Sequence, residues 1–274
     1  MSNKKIDKWS TGLGVILIFF SALGFSAKSI LVKLSFQEVK DPILILTLRM
    51  LFSLPFFLFG IISQKNKITF ELKIYLQIFI LGILGYYLAS IFDFFGLEYI
   101  SAAQERIILF TYPTIVVIFS IVIFKRKIFI REIISILLTY GGILIIFFGE
   151  DIYLNTEKIK GSIWVFMAAL SYAGYLLGSG KLIPTVGASL YTSLAMTIAV
   201  ICIFIHFILL NPIELLFKQS ANIYLLSLIM AIFSTVMPAF FFITGYKKNW
   251  ISKICNHRKH RTCLNPNPIQ FNFG

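Results

Sequence analysis

Apolar residues in this chain come in long unbroken runs rather than in stripes. Eight such runs are separated by short polar stretches, at roughly residues 12–34, 42–62, 75–95, 101–123, 131–149, 161–180, 186–209 and 222–245. Each is near the ~20 residues that carry a helix across a bilayer. Backbone amides inside lipid have no water to bond to, so runs of this kind are expected to be helices. The two-residue alternation of a membrane barrel strand is absent from them. The first run is longer than the apolar core of a signal peptide, and no soluble sequence follows its A-x-A-like site. Asp41-Pro42 reads as a helix cap followed by a proline in the first turn, opening the second run. Asn211-Pro212 closes the seventh. Gly174 and Gly178 in the sixth run, Gly82 and Gly85 in the third, and Gly141 and Gly142 in the fifth are read as packing glycines that let backbones approach closely.

Composition agrees. Of 274 residues, 58% are hydrophobic and 14% charged, the latter about half the share in a soluble domain. The fold expected is all-α, a polytopic helical membrane protein. A formal net charge of +13 would suggest nucleic acid if the bases were clustered on a soluble face. Here they alternate by loop. Lys4, Lys5 and Lys8 precede the first run; Lys65, Lys67 and Lys73 follow the second; Lys125, Arg126, Lys127 and Arg131 follow the fourth; Lys181 follows the sixth; Lys247 and Lys248 follow the eighth. The intervening loops balance their few bases with Glu38, Asp41, Glu150, Asp151, Glu157 and Glu214. This pattern places the N-terminus in the cytoplasm and the chain in the cell membrane, with no nucleic-acid partner. Three cysteines give no disulfide framework.

The chain also repeats itself. Phe19 to Phe25 (FFSALGF) aligns with Phe166 to Tyr172 (FMAALSY), 147 positions on, and Gly82 to Gly96 aligns with Ala231 to Gly245, 149 positions on. With five runs in the first unit, the second must enter the membrane from the opposite side. That is the inverted-topology repeat of many secondary transporters. Gly96-Leu-Glu-Tyr-Ile-Ser-Ala-Ala, then Pro113, a basic loop, Gly141-Gly142 and a closing Gly149-Glu150 resemble the EamA repeat of the drug/metabolite transporter superfamily. The resemblance covers about residues 12–245. It implies ten helices in two five-helix repeats and movement of small metabolites without ATP hydrolysis. On this reading residues 1–150 are the first repeat, 160–245 an incomplete second repeat of three helices, and 246–274 a tail foreign to the family.

That tail reads YKKNWISKICNHRKHRTCLNPNPIQFNFG, too short and polar for two more helices. Back-translated with A/T-leaning codons and moved by one nucleotide, Tyr246 to Asn265 becomes IKKIGSAKSAITANIEPVST. That string matches the pattern of Glu98 to Pro113, EYISAAQERIILFTYP, in the first repeat. The expectation is a frame change at the Lys247-Lys248 codons. Cys255, His257, His260 and Cys263 then carry no zinc-finger meaning, their spacing fitting no familiar finger. No metal or cofactor is expected.

Ionisable residues inside spans are costly and mark cavities or partners. Here they are Lys28, Arg49, Asp93, Glu105 and Arg106. At 1.5 Å per residue, Lys28 and Arg49 lie about 9 and 10 Å below the outer helix ends. Asp93, Glu105 and Arg106 lie within about one turn of those ends. Two readings fit: a polar external vestibule with paired charges, or lysine and arginine snorkelling to headgroups while the acids cap helix ends. Tyr112, Pro113, Tyr172 and Tyr175 complete the candidate pathway, with Ser171, Tyr86 and Tyr87 as further lining residues; each could equally be ordinary packing. No Walker-type loop is present, so transport by alternating access would draw on an ion or proton gradient, or on the substrate's own. The partners expected are a small-molecule metabolite or drug-like solute, the lipid bilayer, a coupling ion or proton, and a second copy of the chain as a homodimer. The alternatives are an inactive truncated fragment of such a transporter and an integral-membrane enzyme. The second would need converging catalytic groups, and only His206 lies in a span.

Overall fold

A computed structural model describes residues 2–64, 70–125, 130–147 and 156–241. The tail from Tyr246, its Cys/His cluster and the loop residues Lys65, Lys67, Arg126, Lys127, Glu150 and Asp151 lie outside the described residues. The elements are helical: α1 Ser2–Ser35, α2 Pro42–Ile62, α3 Leu72–Gly82, α4 Ala89–Tyr99, α5 Ala102–Leu109, α6 Tyr112–Phe124, α7 Ile130–Phe147, α8 Thr156–Val186, α9 Ala188–Leu210 and α10 Ala221–Ala231. Six continuous stretches among the described residues are long and apolar enough to cross a membrane: Pro42–Ile62, Leu72–Tyr99, Ala102–Ile123, Thr156–Val186, Ala188–Leu210 and Ala221–Phe241. α1 and α7 stand where the first and fifth spans are expected. The protein is thus a polytopic helical membrane protein.

Local chemistry starts the helices as the sequence indicates. The Asp41 carboxylate accepts from the Ile43 and Leu44 amides at 2.9 and 3.1 Å, with Pro42 behind it. Ser101 and Gln104 form a reciprocal capping box that opens α5. Two boundaries differ from expectation. The third span continues to Tyr99 rather than ending near residue 95, so Asp93 is deeper than the sequence suggested. The fourth span breaks at Phe110–Thr111, so Pro113 sits in the first turn of α6, where its missing amide is harmless, and not in mid-helix.

Two spans carry π-helical turns, Ile83–Leu88 and Ile232–Val236. Their first residues are 149 positions apart. A π turn leaves a carbonyl without its usual helical donor. The Ser171 hydroxyl of α8 donates to the Leu84 carbonyl at 2.6 Å. In the second π turn the Thr235 hydroxyl donates to the Met230 carbonyl at 3.2 Å.

Packing runs between the two parts of the chain. α4 lies along α8, α2 along α9, α10 on α2, and α1 against the second π turn and α10. The α4–α8 seam is close: a Cβ on Gly96 would stand 2.3 Å from a Val165 methyl and 2.9 Å from the Gly161 carbonyl. Gly85 leaves the same kind of room for the Tyr175 ring. Gly141, expected to serve close packing, has nothing within 4 Å of where its Cβ would stand among the described residues.

Outside the spans, Glu38 in the α1–α2 loop accepts from Ser220 at 2.6 Å and from Asn222, joining that loop to the start of α10. These donors hold its carboxyl below the usual carboxylate range.

Two outcomes are expected here. Gly96→Leu overpacks the α4–α8 seam and lowers stability by about 2 kcal/mol or more, whereas Gly141→Ala leaves it unchanged; thermal unfolding in detergent measures both. The Glu38 tie is fully present above the carboxyl's unfolded value, 4.5, and is lost as pH falls through the lower folded value. Hydrogen exchange at the Ser220–Ile223 turn should rise in acid in the wild type, and should already be raised at neutral pH in Glu38→Gln.

Candidate functional site

Three helices bring their ionisable side chains to one place. α1 supplies Lys28 and Ser29, α4 supplies Asp93, and the capping box of α5 sets Glu105 and Arg106 in its first two turns. Lys28 pairs with Asp93, and its ammonium is 3.8 Å from Glu105. Arg106 holds Glu105 through two bonds, Nε to Oε2 at 2.7 Å and Nη2 to Oε1 at 3.0 Å. The Ser29 hydroxyl donates to Glu105 at 2.7 Å and accepts from Arg106 at 2.8 Å. Glu105 and Asp93 are 0% and 2% exposed. This is a continuous chain of charges, Asp93–Lys28–Glu105–Arg106, with its carboxylates buried and its cations partly exposed. Burial of ions is tolerable only with such partners, because the field of each compensates the water its neighbour has lost.

Arg49 of α2 stands apart. It is 6% exposed and has no ion pair among the described residues. Its Nε donates to the Thr235 hydroxyl at 2.9 Å, and its guanidinium carbon lies 5.5 Å from the centroid of the Phe94 ring. Among the described residues, Nη1 of Arg49 and Oδ1 of Asp93 are buried without hydrogen-bond partners.

The tyrosines form a second feature, an aromatic series where the first π turn, α6, α8 and α9 meet. Tyr112 meets Tyr172 edge-on at 5.2 Å between centroids, Tyr172 stacks towards Tyr175 at 5.7 Å, and Tyr175 stacks towards Tyr191 at 6.2 Å. The Tyr86 and Tyr175 hydroxyls are 2.8 Å apart. Tyr87 turns away from this series to His206, its hydroxyl 3.0 Å from Nδ1. Pro113 begins α6 directly after Tyr112.

The sequence-selected residues therefore separate into three groups: the ion chain, the lone Arg49, and the tyrosine series with Pro113. An open groove of about 500 Å³ lies between the end of α1 and the α4–α5 turn, but Lys33, Gln37, Tyr99 and Ser101 line it rather than the five charges. Sequence reasoning overlooked Ser29, Thr235 and Tyr191. Thr235 was findable: it lies 149 positions after Tyr86, which had been selected, and both occupy π turns. Ser29 and Tyr191 have no such signal.

A helical membrane protein with paired π turns and buried ions between its spans has the features of a transporter, and the sequence comparisons give the family. The chain belongs to the EamA-like transporter family, whose pattern it matches over residues 12–148. Among its relatives is the "Uncharacterized transporter YcbK" of Bacillus subtilis (strain 168), 25% identical over 240 residues that cover 86% of this chain and 77% of that one. A solved crystal structure with 14% identity shares the fold at a TM-score of 0.65, over 88% of this chain and 83% of the other. The protein is a multi-pass membrane transporter.

Removing one ion of the chain should expose the cost of the others. Asp93→Asn leaves Lys28 buried with Glu105 alone and should lower stability by about 3 kcal/mol. Adding Lys28→Met should recover most of the loss, read as coupling in a double-mutant cycle on the unfolding midpoint.

Proposed function

We propose that the chain is a secondary transporter, a permease for small metabolites or drug-like solutes, working by alternating access between two inverted repeats in the cell membrane with the N-terminus in the cytoplasm. The observation that carries this reading is the mirrored packing. α8 on α3 and the first π turn has its counterpart in α1 on α10 and the second π turn, and α3 on α9 has its counterpart in α10 on α2. α2 against α9 lies on the axis between them. Two similar units that meet along one seam can rock about it, opening first one side and then the other. The π turns fall at matching places in both units and put unpaired backbone carbonyls at that seam, where they are taken by Ser171 and Thr235.

The residues we assign to the pathway are Lys28, Arg49, Asp93, Glu105, Arg106, Tyr112, Pro113, Tyr172 and Tyr175. The charges are more numerous in the first unit: Lys28 corresponds to Tyr175 and Asp93 to Phe242. An ion or proton gradient is the energy source that suits a chain without a nucleotide-binding loop. The domain reading that goes with this is a first repeat over 1–150, a second over 160–245, and a tail from Tyr246 encoded in the neighbouring frame.

The test compares cells carrying the chain as given with cells carrying a version restored at the Lys247–Lys248 codons. Untargeted metabolite profiling should show at least one small solute redistributed several-fold across the membrane by the restored version, with the effect abolished when ion gradients are dissipated. Glu105→Gln should reduce that redistribution several-fold. Identical profiles with and without the restored protein, once it is seen folded in the membrane, would overturn the permease reading.

A further inference from the structure

We propose that Arg49 is the anion-binding group of the pathway, and that the solute it receives is a small monocarboxylate carrying a hydroxyl or amino donor next to its carboxylate. This rests on the permease reading and narrows it to a chemical class.

The argument begins with charge. The ionisable side chains gathered here are the partly exposed Lys28 and Arg106 and the buried Arg49, against the buried Asp93 and Glu105. One positive charge is in excess. The two carboxylates are already engaged, Asp93 by Lys28 and Glu105 by Arg106, Ser29 and Lys28. The excess falls on Arg49, whose contacts are one hydroxyl and one aromatic ring. A buried guanidinium with no carboxylate in ion-pair contact is costly to hold, and the acid charge that acts on it, Asp93, is already paired with Lys28. Retaining one at the junction of the two units is explained if an anion arrives there during the working cycle.

Geometry gives the rest. Nη1 of Arg49 is a buried donor with no acceptor, and Oδ1 of Asp93 is a buried acceptor with no donor. Both flank the same turn of α4, since Arg49 lies over the ring of Phe94, the residue after Asp93. A planar carboxylate suits the free edge of a guanidinium. A donor one or two bonds away on the same solute suits Asp93 Oδ1. Thr235 links the site to the other unit: it holds Arg49 Nε from the second π turn, so parting of the units would release the guanidinium towards the opening space.

The experiment is thermal unfolding of the purified full chain in detergent, with sodium lactate, sodium propionate, L-alanine, lactamide, choline chloride or sodium chloride at matched ionic strength. At tenfold excess over its dissociation constant a ligand raises the midpoint by about 4 °C. Lactate or alanine is expected to do so, propionate less, and lactamide no more than sodium chloride. Arg49→Met should abolish the carboxylate shift while leaving the ligand-free midpoint equal to or above that of the wild type, because an uncompensated charge has been removed. Arg49→Lys should keep a reduced shift. The proposal is overturned if Arg49→Met retains the carboxylate shift, if lactamide matches lactate, or if no carboxylate exceeds sodium chloride. A shift with choline alone, unchanged in Arg49→Met, would leave the permease reading standing while removing the anion assignment.

Discussion

Everything near the candidate site is arranged around a chain of opposite charges whose two carboxylates are buried. Lys28, Asp93, Glu105 and Arg106 belong to three helices, and none of the four could be buried alone at tolerable cost. Their mutual satisfaction fixes where α1, α4 and α5 meet. Depth and register follow from it: Lys28 must face α4, and the capping box at Ser101 must start α5 so that its first turns present Glu105 and Arg106 inward. Ser29 is drawn in as the bridge that donates to one and accepts from the other.

The second constraint is backbone satisfaction in lipid. A π turn releases a carbonyl in a medium with no water to take it. In both π turns a hydroxyl answers, from α8 in one case and from within the turn in the other. Thr235 then has its oxygen available to Arg49. The polar contacts at the seam between the two units are therefore consequences of irregular backbone placed inside otherwise regular spans. The tyrosines fill the opposite side of the same seam, where Gly85 makes room for the Tyr175 ring.

Much of this could be seen in the sequence. Unbroken apolar runs fix the spans because a helix is the economical way to keep backbone bonds inside lipid, and the family follows from the Gly96–Pro113 stretch, which lies within the matched region. Asp41-Pro42 and Ser101-Ala-Ala-Gln104 declare their helix starts through short-range chemistry. What could not be seen depends on rotation about helix axes. Asp93 and Glu105 were placed near helix ends, where acids commonly cap; the longer third span and the side chains of α1 make them interior partners instead. Pro113 looked like a mid-span kink because the break at Phe110–Thr111 leaves no mark in an apolar run. Ser29 is one of many small polar residues in apolar helices, and only a neighbour selects it.

The contrast between Lys28 and Arg49 ties these strands together. Both are cations at similar depth, on adjacent spans, and sequence alone treats them alike. Lys28 meets a carboxylate and becomes structure. Arg49 meets a hydroxyl and a ring, and has no carboxylate in contact among the described residues. A fold selected only for stability would replace such a residue with methionine or leucine at little loss of packing, as buried ion groups elsewhere tolerate. Its presence where α2 meets the second π turn argues that the relevant partner is not among the described residues. The unsatisfied acceptor on Asp93 strengthens the point, because a protein could have closed that valence with the neighbouring guanidinium and has instead kept the two apart.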